Sequence, residues 1–431
     1  MAGYPATHYA ATRRDDGHWP EATGRHEVET CVIGGGLAGT ATALELAERG
    51  RSVMLVESHR IGWGASGRNG GFASRGFPVG ILDLAERIGR DEALALWRMS
   101  DMALRKVADR AERLGPGIIE GRGGLRCRMV EHPDNLRGIV DRLNRDYDAG
   151  LVLLGRDELH ERLISDRYAD GYLNPSTLHI QPLNLTRAMA AEAARAGAIL
   201  HENSAVLELD PTGPVKRVRT AGAEIRARHV VLAGGAYMGM LYPRLGLATV
   251  PVATFVMTTP PMGERLDRAI RTDAAVSDTR VATDYYRVLP DGRLLWGGRA
   301  SACEPGPARL AELLRRDVAS IYPQLADIEI ETAWGGVMPY ARHRMPIIGP
   351  LEPGLWSASC FGGLGLTATT LAGELIAAAI ADGDDRHRHF ARFRPQFAAG
   401  SLGRVAFQAI YWKHQLEDWV ARLRHQSKGA A

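Results

Sequence analysis

The stretch Glu29-Thr-Cys-Val-Ile33, followed at once by Gly34-Gly-Gly-Leu-Ala-Gly39, decides the fold. A short apolar run that stops at glycines predicts a buried strand ending in a tight turn. Thr40 to Arg49 then carries apolar residues at helical spacing, and Gly50 is a residue that commonly ends a helix. Ser52-Val-Met-Leu-Val-Glu57 has the character of a second strand. Together these segments predict one β-α-β unit of a parallel sheet.

The glycines of this unit fit the pattern G-x-G-x-x-G at Gly34, Gly36 and Gly39. The first glycine permits the turn, the second lets the backbone approach a pyrophosphate, and the third lets helix and strand pack closely. The N–H groups at the start of the helix attract phosphate. Glu57 ends the second strand at the point where a carboxylate accepts hydrogen bonds from a ribose diol. The pattern therefore predicts a dinucleotide cofactor, but it leaves NAD and FAD open.

Three further segments favour FAD. The loop Gly64-Ala-Ser-Gly-Arg-Asn-Gly-Gly71 follows the ribose acid directly, where an extended dinucleotide would continue towards a second ring system. Val230-Val-Leu-Ala-Gly-Gly235 is another strand ending in small residues. Phe361-Gly-Gly-Leu-Gly-Leu-Thr367 places a second helix N-terminus late in the chain, where it could neutralise charge on a reduced flavin.

The residues expected to bind the cofactor come from these loops and from the extended segment Ile199 to Leu209. They are Gly34, Gly36, Leu37, Ala38, Gly39, Glu57, Ser66, Arg68, Asn69, Gly70, Gly71, Val206, Gly234, Gly363, Leu364 and Gly365.

Composition narrows the class of protein. The chain has 431 residues, enough for two or three domains, and a net charge of only +3, which argues against a nucleic-acid partner. Its four cysteines are scattered without a C-x-x-C, so neither a disulfide framework nor a structural zinc or other metal site is expected. The N-terminal stretch lacks the apolar segment of a secretory signal, and no run of about 20 apolar residues suggests a membrane span. We expect a cytoplasmic protein.

The expected fold class is α/β. A discontinuous Rossmann-like FAD-binding domain is predicted from residues 26–80, 178–248 and 345–395. An antiparallel-sheet α+β substrate or cap domain is predicted from residues 81–177 and 249–344, because Tyr285 to Leu289 and Leu294 to Trp296 flank a Pro-Asp-Gly turn. Residues 396–431 form an amphipathic helical tail, expected to dock on its own protein or on a second subunit, which makes a homo-oligomer possible.

Nearly the whole chain resembles the FAD-dependent D-amino-acid oxidase/glycine oxidase superfamily, and within it the γ-glutamylputrescine oxidoreductase-type amine oxidases. The blocks that carry the resemblance are Arg60-Ile-Gly-Trp-Gly-Ala-Ser-Gly-Arg-Asn-Gly-Gly71, Gly123-Gly-Leu125, Ser165-Asp-Arg-Tyr168, His179-Ile-Gln-Pro-Leu-Asn184, Asp284-Tyr-Tyr-Arg287, Arg344-Met-Pro346 and Leu371-Ala-Gly373. The resemblance implies FAD, a small-molecule amine substrate and an imine product. It also implies reoxidation by O2, giving H2O2, or by another electron acceptor.

Three departures from the family pattern bear on these expectations. Some relatives attach FAD through a cysteine, but the matching stretch Trp334-Gly-Gly-Val-Met-Pro-Tyr340 has none, so non-covalent FAD is expected. The late loop has Phe361 and Leu364 where the subgroup usually carries polar side chains. No lysine near Val252 to Thr258 matches the oxygen-activating lysine of some relatives. The last two differences bear on substrate and oxygen reactivity, not on fold.

The candidate catalytic residues lie on the substrate side. Tyr285, Tyr286 and Arg287 follow one another in a predicted strand, and alternation predicts that only one tyrosine faces the pocket. Arg344 could clamp a substrate carboxylate or stabilise an anionic flavin, and His343 could accept a proton. The expected chemistry is hydride transfer from the carbon beside the amine nitrogen to flavin N5, followed by hydrolysis of the imine.

Two alternatives remain open on the sequence. The first is a D-amino-acid dehydrogenase that passes electrons to a quinone. The second is a flavoprotein that binds FAD without amine chemistry of its own. Leu364 supports this hypothesis, because it stands where the subgroup usually has a polar side chain. An NAD dehydrogenase fits the glycine loops least well.

Overall fold

A computed structural model describes residues 3–130, 135–280, 283–302 and 305–429. The strands are β1 Gly24–Ile33, β2 Val53–Val56, β3 Phe72–Ala73, β4 Ile119–Met129, β5 Val152–Leu154, β6 Tyr168–Ile180, β7 Ile199–His201, β8 Val206–Asp210, β9 Lys216–Thr220, β10 Ala223–Leu232, β11 Thr249–Thr258, β12 Ala275–Asp278, β13 Tyr285–Val288, β14 Leu294–Ser301, β15 Thr332–Ala341, β16 Ile347–Glu352 and β17 Leu355–Ser359.

The helices follow the same chain order. They are α1 His8–Ala11, α2 Leu37–Glu48, α3 Ile81–Ile88, α4 Arg90–Arg113, α5 Leu136–Tyr147, α6 Arg156–Arg162, α7 Pro182–Arg195, α8 Pro243–Ala248, α9 Glu264–Asp267, α10 Pro307–Ile321, α11 Gly365–Asp382 and α12 Gly403–Gly429.

The first sheet has the strand order β16-β17-β10-β1-β2-β7, with β9 and β8 attached at β10. β17, β10, β1, β2 and β7 run parallel, whereas β16 pairs antiparallel with β17. β1 is almost wholly buried towards its carboxyl end, as expected of a strand covered on both faces. The β-α-β unit predicted from the glycine pattern is therefore the centre of this sheet.

Helices α2, α7 and α11 cover one face of the first sheet, and α4 packs on α11. Leu44, Leu96, Met189 and Leu371, one from each helix, belong to a single buried cluster that includes Val32 of β1. Residues 81–113, which were assigned to the cap domain, form α3 and α4; α4 packs on α11, and α3 packs on α4. The domain boundaries stay a prediction.

The second sheet has the strand order β15-β11-β14-β13-β12-β4-β6-β3, with β5 attached at β6. All its pairings are antiparallel except β12 with β4. Its outer face packs against α10 around Leu314, Phe255 and Trp296. Its inner face carries Leu295 and Trp334, which pack with Leu183 of α7. The expected combination of a Rossmann-like domain and an antiparallel α+β domain is confirmed.

Two predicted elements are interrupted. Leu82 to Leu114 has few helix-breaking residues and predicts one helix, but Gly89, with a φ of 91°, ends α3 before α4 begins. The extended segment expected over Ile199 to Leu209 is divided into β7, which joins the parallel strands, and β8, which pairs with β9. Within the described ranges, none of the helices combines the length and apolarity that crossing a bilayer demands.

Candidate functional site

A cavity of about 460 Å³ is formed by loops of the first sheet and by the inner face of the second. At one end it is lined by the glycine loop after β1 and by Glu57. At the other end it is lined by Tyr285, Arg299 and Tyr411. Its size lies in the range of cofactor and ligand sites, and it connects the two structural halves of the protein.

The first and third glycines of the G-x-G-x-x-G pattern pack closely against neighbouring backbone. Gly34 has a φ of 111°, and a Cβ there would lie 2.7 Å from the carbonyl carbon of Ala233. A Cβ on Gly39 would lie 1.8 Å from the Gly34 carbonyl oxygen. Gly34 requires glycine because its positive φ and the backbone that follows β10 leave no room for a Cβ, and Gly39 requires it because the start of α2 lies directly on the end of β1. This packing brings the N-terminus of α2 to the cavity wall, at Gly36, Leu37 and Ala38.

Glu57 and Ser66 organise the same end of the cavity. The Glu57 carboxylate accepts hydrogen bonds from the Gly35 N–H at 2.6 Å and from the His59 N–H at 2.9 Å. These bonds fix the carboxylate at the end of β2, and its remaining lone pairs can accept a ribose diol. Ser66 Oγ accepts the Leu37 N–H at 2.8 Å, which ties the second glycine-rich loop to the first turn of α2.

A second helix N-terminus opens on the cavity. α11 begins at Gly365, and Leu364 before it provides no side-chain cap for the first N–H groups. Gly363, Gly365 and Leu366 line the cavity. Unpaired N–H groups and the positive end of the helix dipole favour negative charge at this point. The apolar residue at position 364 therefore leaves the helix end available to a ligand.

The second glycine-rich loop is held by its own polar side chains. Arg68 donates from Nε to the Trp63 carbonyl at 2.8 Å, and its guanidinium lies 4.2 Å from the Trp63 ring centre. Asn69 donates to the carbonyls of Ala65 and Ser66 and accepts the Gly71 N–H. These contacts hold the loop in one conformation, so the Arg68 and Asn69 side chains both stabilise the loop.

An FAD fits the residues present. Two helix N-termini at the cavity wall, a fixed carboxylate acceptor and a glycine-lined wall are the features that an adenine dinucleotide with a flavin requires. Of the residues predicted to bind the cofactor, the cavity brings together Gly34, Gly36, Leu37, Ala38, Glu57, Ser66, Arg68, Asn69, Gly70, Val206, Gly234, Gly363 and Gly365. It does not include Gly39, Gly71 or Leu364.

The three residues outside the cavity lie directly behind its wall. Gly39 packs on β1 as described above, and Leu364 precedes α11. Gly71 has a φ of 79°, and a Cβ there would lie 2.3 Å from the Ile180 carbonyl oxygen. Gly71 and Gly39 thus act through backbone packing, which is a different role from direct contact.

Aromatic side chains line the end of the cavity at the second sheet. The Tyr285 ring occupies space left by Gly70 and Gly297, where a Cβ would lie 2.5 Å and 2.2 Å from it. Burial raises the pKa of Tyr285, and it raises the pKa values of Tyr340 and Tyr411 to about 12. These phenols stay protonated near neutral pH, so they can donate hydrogen bonds but cannot take a proton from a substrate.

Tyr286 and Arg287 do not line the cavity. Tyr286 points to the opposite face of β13, where its hydroxyl bonds with those of Tyr168 at 3.1 Å and Tyr322 at 2.7 Å. Arg287 is fully buried; it donates to Glu120 at 2.7 Å and to the Gly70 carbonyl at 3.3 Å. Strand alternation sends Tyr286 into the core, and the Glu120 carboxylate holds Arg287 behind the glycine loop. Of the two tyrosines, Tyr285 is the one that lines the cavity, and its substrate-side role stays a prediction.

His343 and Arg344 lie in the turn between β15 and β16, also off the cavity. Arg344 is exposed, with a φ of 62°, and its N–H donates to Ala341. His343 accepts the Met345 N–H at 3.1 Å and contacts the Arg394 carbonyl, and burial lowers its pKa. Neither side chain lines the cavity, although the Arg344 charge lies close enough to oppose the rise in the pKa of Tyr340, which does line it.

Several cavity residues were not predicted. Tyr237, Arg299, Tyr340 and Tyr411 all line it. Tyr411 was available in principle, because it lies on the inward face of an amphipathic tail. Arg299 could not be predicted, because it lies where the pairing of β11 with β14 is irregular, and no sequence pattern predicts that irregularity. Of the cysteines, Cys31, Cys127 and Cys360 are buried and free, and Cys303 lies outside the described residues.

Comparisons with known proteins identify the family to which the chain belongs. A family model described as FAD dependent oxidoreductase (DAO) matches residues 29–379. Gamma-glutamylputrescine oxidoreductase of Escherichia coli (strain K12) is 32% identical over 414 residues, covering 95% of this chain and 97% of that protein. The probable oxidoreductase OrdL of Haemophilus influenzae is 29% identical over 387 residues, covering 88% and 89%.

Among solved structures, glycine oxidase from Geobacillus kaustophilus superposes with a TM-score of 0.68 at 22% identity, covering 86% of this chain and 99% of that one. At this identity the likeness concerns the fold. The matched residues include both the G-x-G-x-x-G turn at the start of α2 and the start of α11, the two helix N-termini at the cavity. The chain therefore belongs to the DAO family of FAD-dependent oxidoreductases.

Proposed function

We propose that this protein oxidises the C–N bond of an amine. The observation that carries the proposal is the cavity itself, which leads from the dinucleotide cradle to a wall of Tyr285, Tyr340 and Tyr411. Aromatic rings attract an ammonium, and an apolar lining favours the neutral amine that must react. The similarity to gamma-glutamylputrescine oxidoreductase supports an amine, or an amino acid, as the substrate class.

FAD, when bound, supplies the hydride acceptor for the carbon beside the nitrogen. The chain's part is to orient the amine and to exclude water. The cavity-lining residues of the described chain include carboxylate only at Glu57, which is tied to the dinucleotide end by two backbone N–H groups. With the phenols protonated, we propose that the substrate loses its proton to water and enters as the neutral amine. The imine product then hydrolyses to a carbonyl compound and an amine or ammonia.

We further propose that FAD is bound non-covalently and that O2 is the electron acceptor, giving H2O2. The three described cysteines are absent from the cavity wall, which supports non-covalent binding. A cytoplasmic location remains a prediction, which the free thiols support. A quinone acceptor remains the alternative.

The test is anaerobic mixing of the FAD-loaded protein with secondary amines, primary amines, and D- and L-amino acids. We expect at least one class to bleach the flavin absorbance band. Peroxide release on admitting air then distinguishes O2 from a quinone as the acceptor. If no member of the panel bleaches the flavin, amine oxidation by this protein is contradicted.

A further inference from the structure

The tail helix α12 presents a row of apolar side chains to solvent. Its large members keep between 44% and 72% of their exposure, and these are Val405, Trp412, Leu416, Trp419 and Leu423. Ala409, between the first two, is exposed as well. We call these six residues the outer stripe. A contiguous exposed apolar surface of this kind marks an interaction site.

The opposite side of α12 docks on the body of the protein. The helix packs on β11 and β14, and Gln408 accepts the Ala302 N–H at 2.8 Å. Tyr411 is buried and lines the cavity, and its ring stacks on that of Phe407, which contacts Tyr340. The outer stripe is therefore the apolar surface that stays uncovered after α12 has docked on its own protein.

The spacing within the outer stripe is that of a coiled-coil seam. Its members follow one another at steps of four, three, four, three and four residues, which is the alternation of a heptad repeat. At about 100° per residue, the six positions cover only about 80° of the helix surface. A stripe this narrow fits one further helix, whereas a core or a lipid surface takes a broader apolar face.

The sizes of the side chains make the outer stripe complementary to a second copy of itself that runs in the opposite direction. Antiparallel pairing puts the smaller residue of one copy opposite the larger residue of the other in every layer. The pairs are Val405 with Leu423, Ala409 with Trp419, and Trp412 with Leu416. Parallel pairing would instead set tryptophan on tryptophan in two layers and alanine on alanine between them, which leaves voids.

The polar residues beside the outer stripe suit the same arrangement. Lys413 and Glu417 form an exposed ion pair at 3.6 Å along one edge. In the antiparallel arrangement each Lys413 also approaches Glu417 of the second copy, whereas parallel pairing places like charges at the same level. The other edge carries the uncharged Gln408 and Gln415, so no like charges oppose each other there.

We propose that α12 is a self-association helix, through which two copies of this chain pair antiparallel along their outer stripes. The two-fold axis crosses the helices near His414, so the same surface serves both copies. The inference rests on the geometry of α12 and not on the proposed function. Because Tyr411 lies on the docked side of the same helix, pairing also holds the helix that lines the aromatic end of the cavity.

The test measures the mass of the FAD-loaded full chain by sedimentation velocity. The stripe is only about 27 Å long, so we expect a change from monomer to dimer between about 1 and 100 µM protein. In Leu416→Glu a carboxylate would be buried opposite Trp412 of the second copy. Dimerisation should then weaken about a hundredfold or more.

Ile410→Glu is the matched control. Ile410 is 57% exposed on the same helix, against 58% for Leu416, but it lies outside the outer stripe. The same charge at this position should leave dimerisation unchanged, and both variants should bind FAD like the unmodified protein. If the two variants associate equally well, or if the unmodified protein stays monomeric over the whole range, the proposal is overturned.

The direction of pairing is tested with Gln415→Cys in a Cys303→Ser background. Gln415 lies beside the two-fold axis, so an added thiol oxidant such as diamide should join two copies through the introduced thiols. Adding Leu416→Glu to this chain should prevent the covalent dimer. Parallel pairing sets the two thiols on opposite sides of the seam, so a doubled mass without a covalent dimer would overturn the antiparallel arrangement.

A lipid surface is the other occupant that the test addresses. The unmodified protein and Leu416→Glu are sedimented with vesicles of phosphatidylglycerol and phosphatidylcholine. We expect neither to sediment with the vesicles more than Ile410→Glu does. Vesicle binding that Leu416→Glu alone abolishes, together with a monomer in solution, would assign the outer stripe to a lipid surface and overturn self-association.

Discussion

Glu57 shows what a single residue contributes to the cofactor cradle. Its carboxylate is fixed by the N–H groups of Gly35 and His59, so a ribose diol meets an acceptor already in position. A hydrogen bond to a charged group contributes about 1.5–3 kcal/mol. The contribution of this side chain to FAD affinity is therefore large enough to measure.

We expect Glu57→Gln to weaken FAD binding about tenfold to a hundredfold, because the amide keeps one acceptor but loses the charge. The measurement is a titration of the apoprotein with FAD, followed by flavin fluorescence. Glu27→Gln, on the exposed part of β1, is the control and should bind like the unmodified protein. Equal affinities for the two variants would show that Glu57 does not contact the cofactor.

Among single residues, some roles follow from sequence and others do not. Gly34 and Gly39 were identifiable because the turn and the close packing that require glycine are properties of a short, local pattern. Tyr285 and Tyr286 could be limited to one cavity residue by strand alternation, but the choice between them depends on which sheet face meets α10. That information lies in long-range packing, far from β13 in the chain.

The contact between α2 and β1 determines where the helix N-terminus lies. A Cβ on Gly39 would lie 1.8 Å from the Gly34 carbonyl oxygen, so Gly39→Ala must move α2 away from the strand. Overpacking of this kind costs about 1–3 kcal/mol. We expect a lower melting temperature together with loss of FAD affinity, because the displaced helix no longer presents its N–H groups correctly.

Gly80→Ala is the matched control for this change. Gly80 directly precedes α3, has a φ of −55°, and has nothing within 4 Å of an added Cβ. It should keep both stability and FAD affinity. If Gly39→Ala binds FAD as tightly as Gly80→Ala, the packing of α2 is not what places the cradle.

The tail helix α12 closes the aromatic end of the cavity. Tyr411 lines the cavity, and Gln408 accepts the Ala302 N–H at 2.8 Å and the Ser301 hydroxyl at 3.2 Å. On its outer face Trp412, Leu416 and Trp419 are exposed. The amphipathic pattern of the tail predicted docking on the protein, but not that the buried face supplies a cavity residue. Docking on a second subunit stays a prediction.

We expect Gln408→Ala to loosen α12, because two donors lose their acceptor at a cost of about 1–3 kcal/mol. The amine KM should rise while FAD affinity stays unchanged, since α12 is distant in the fold from α2. Steady-state kinetics and an FAD titration are the measurements. Gln415→Ala is the control: Gln415 lies on the same helix, and its side chain makes no hydrogen bond within the described residues. It should change neither the amine KM nor the FAD affinity. Equal changes in the two variants would contradict a specific role for Gln408 in closing the cavity.

At the scale of the whole molecule, a buried charge cluster behind the cavity makes stability depend on pH. Burial raises the pKa of Asp284 to about 7, and neighbouring carboxylates add to the effect while Arg280 opposes it. The charged and titratable groups that face Asp284 are Asp278, Arg280, Arg299, Asp317 and the phenols of Tyr285 and Tyr411.

The folded chain therefore holds a proton on Asp284 that the unfolded chain loses near pH 4. The free energy of unfolding should fall as pH rises from about 4 to 7, by at most about 1.4 kcal/mol per unit, and then level off. In Asp284→Asn this loss is absent. We expect the stability of the variant relative to the unmodified protein to be higher at pH 8 than at pH 5.

Urea unfolding at both pH values, with equal FAD present, measures this difference. Asp291→Asn, at an exposed position on the neighbouring hairpin, is the control and should show no such trend. A difference for Asp284→Asn that is the same at pH 5 and pH 8 would mean that the carboxylate is ionised throughout.

The division of the chain into two structural halves was largely predictable. The parallel strands and the glycine turns have local signatures, and the Pro-Asp-Gly hairpin indicated the antiparallel sheet. The packing of α4 on α11 was not predictable, because the apolar face of α4 would suit either half. Arg299 was not predicted for a related reason. It is the extra residue of a β-bulge in β14, and the position of that bulge depends on the pairing with β11 and not on Arg299 itself.

The central claim is that the carbon beside the amine nitrogen gives up its hydrogen in the cavity between the glycine loops and Tyr285. The most direct test is anaerobic stopped-flow reduction of the bound flavin by a reactive amine and by the same amine deuterated at that carbon. We predict slower flavin bleaching with the deuterated amine at saturation. Equal rates for the two amines, or no bleaching by any amine, would contradict the account.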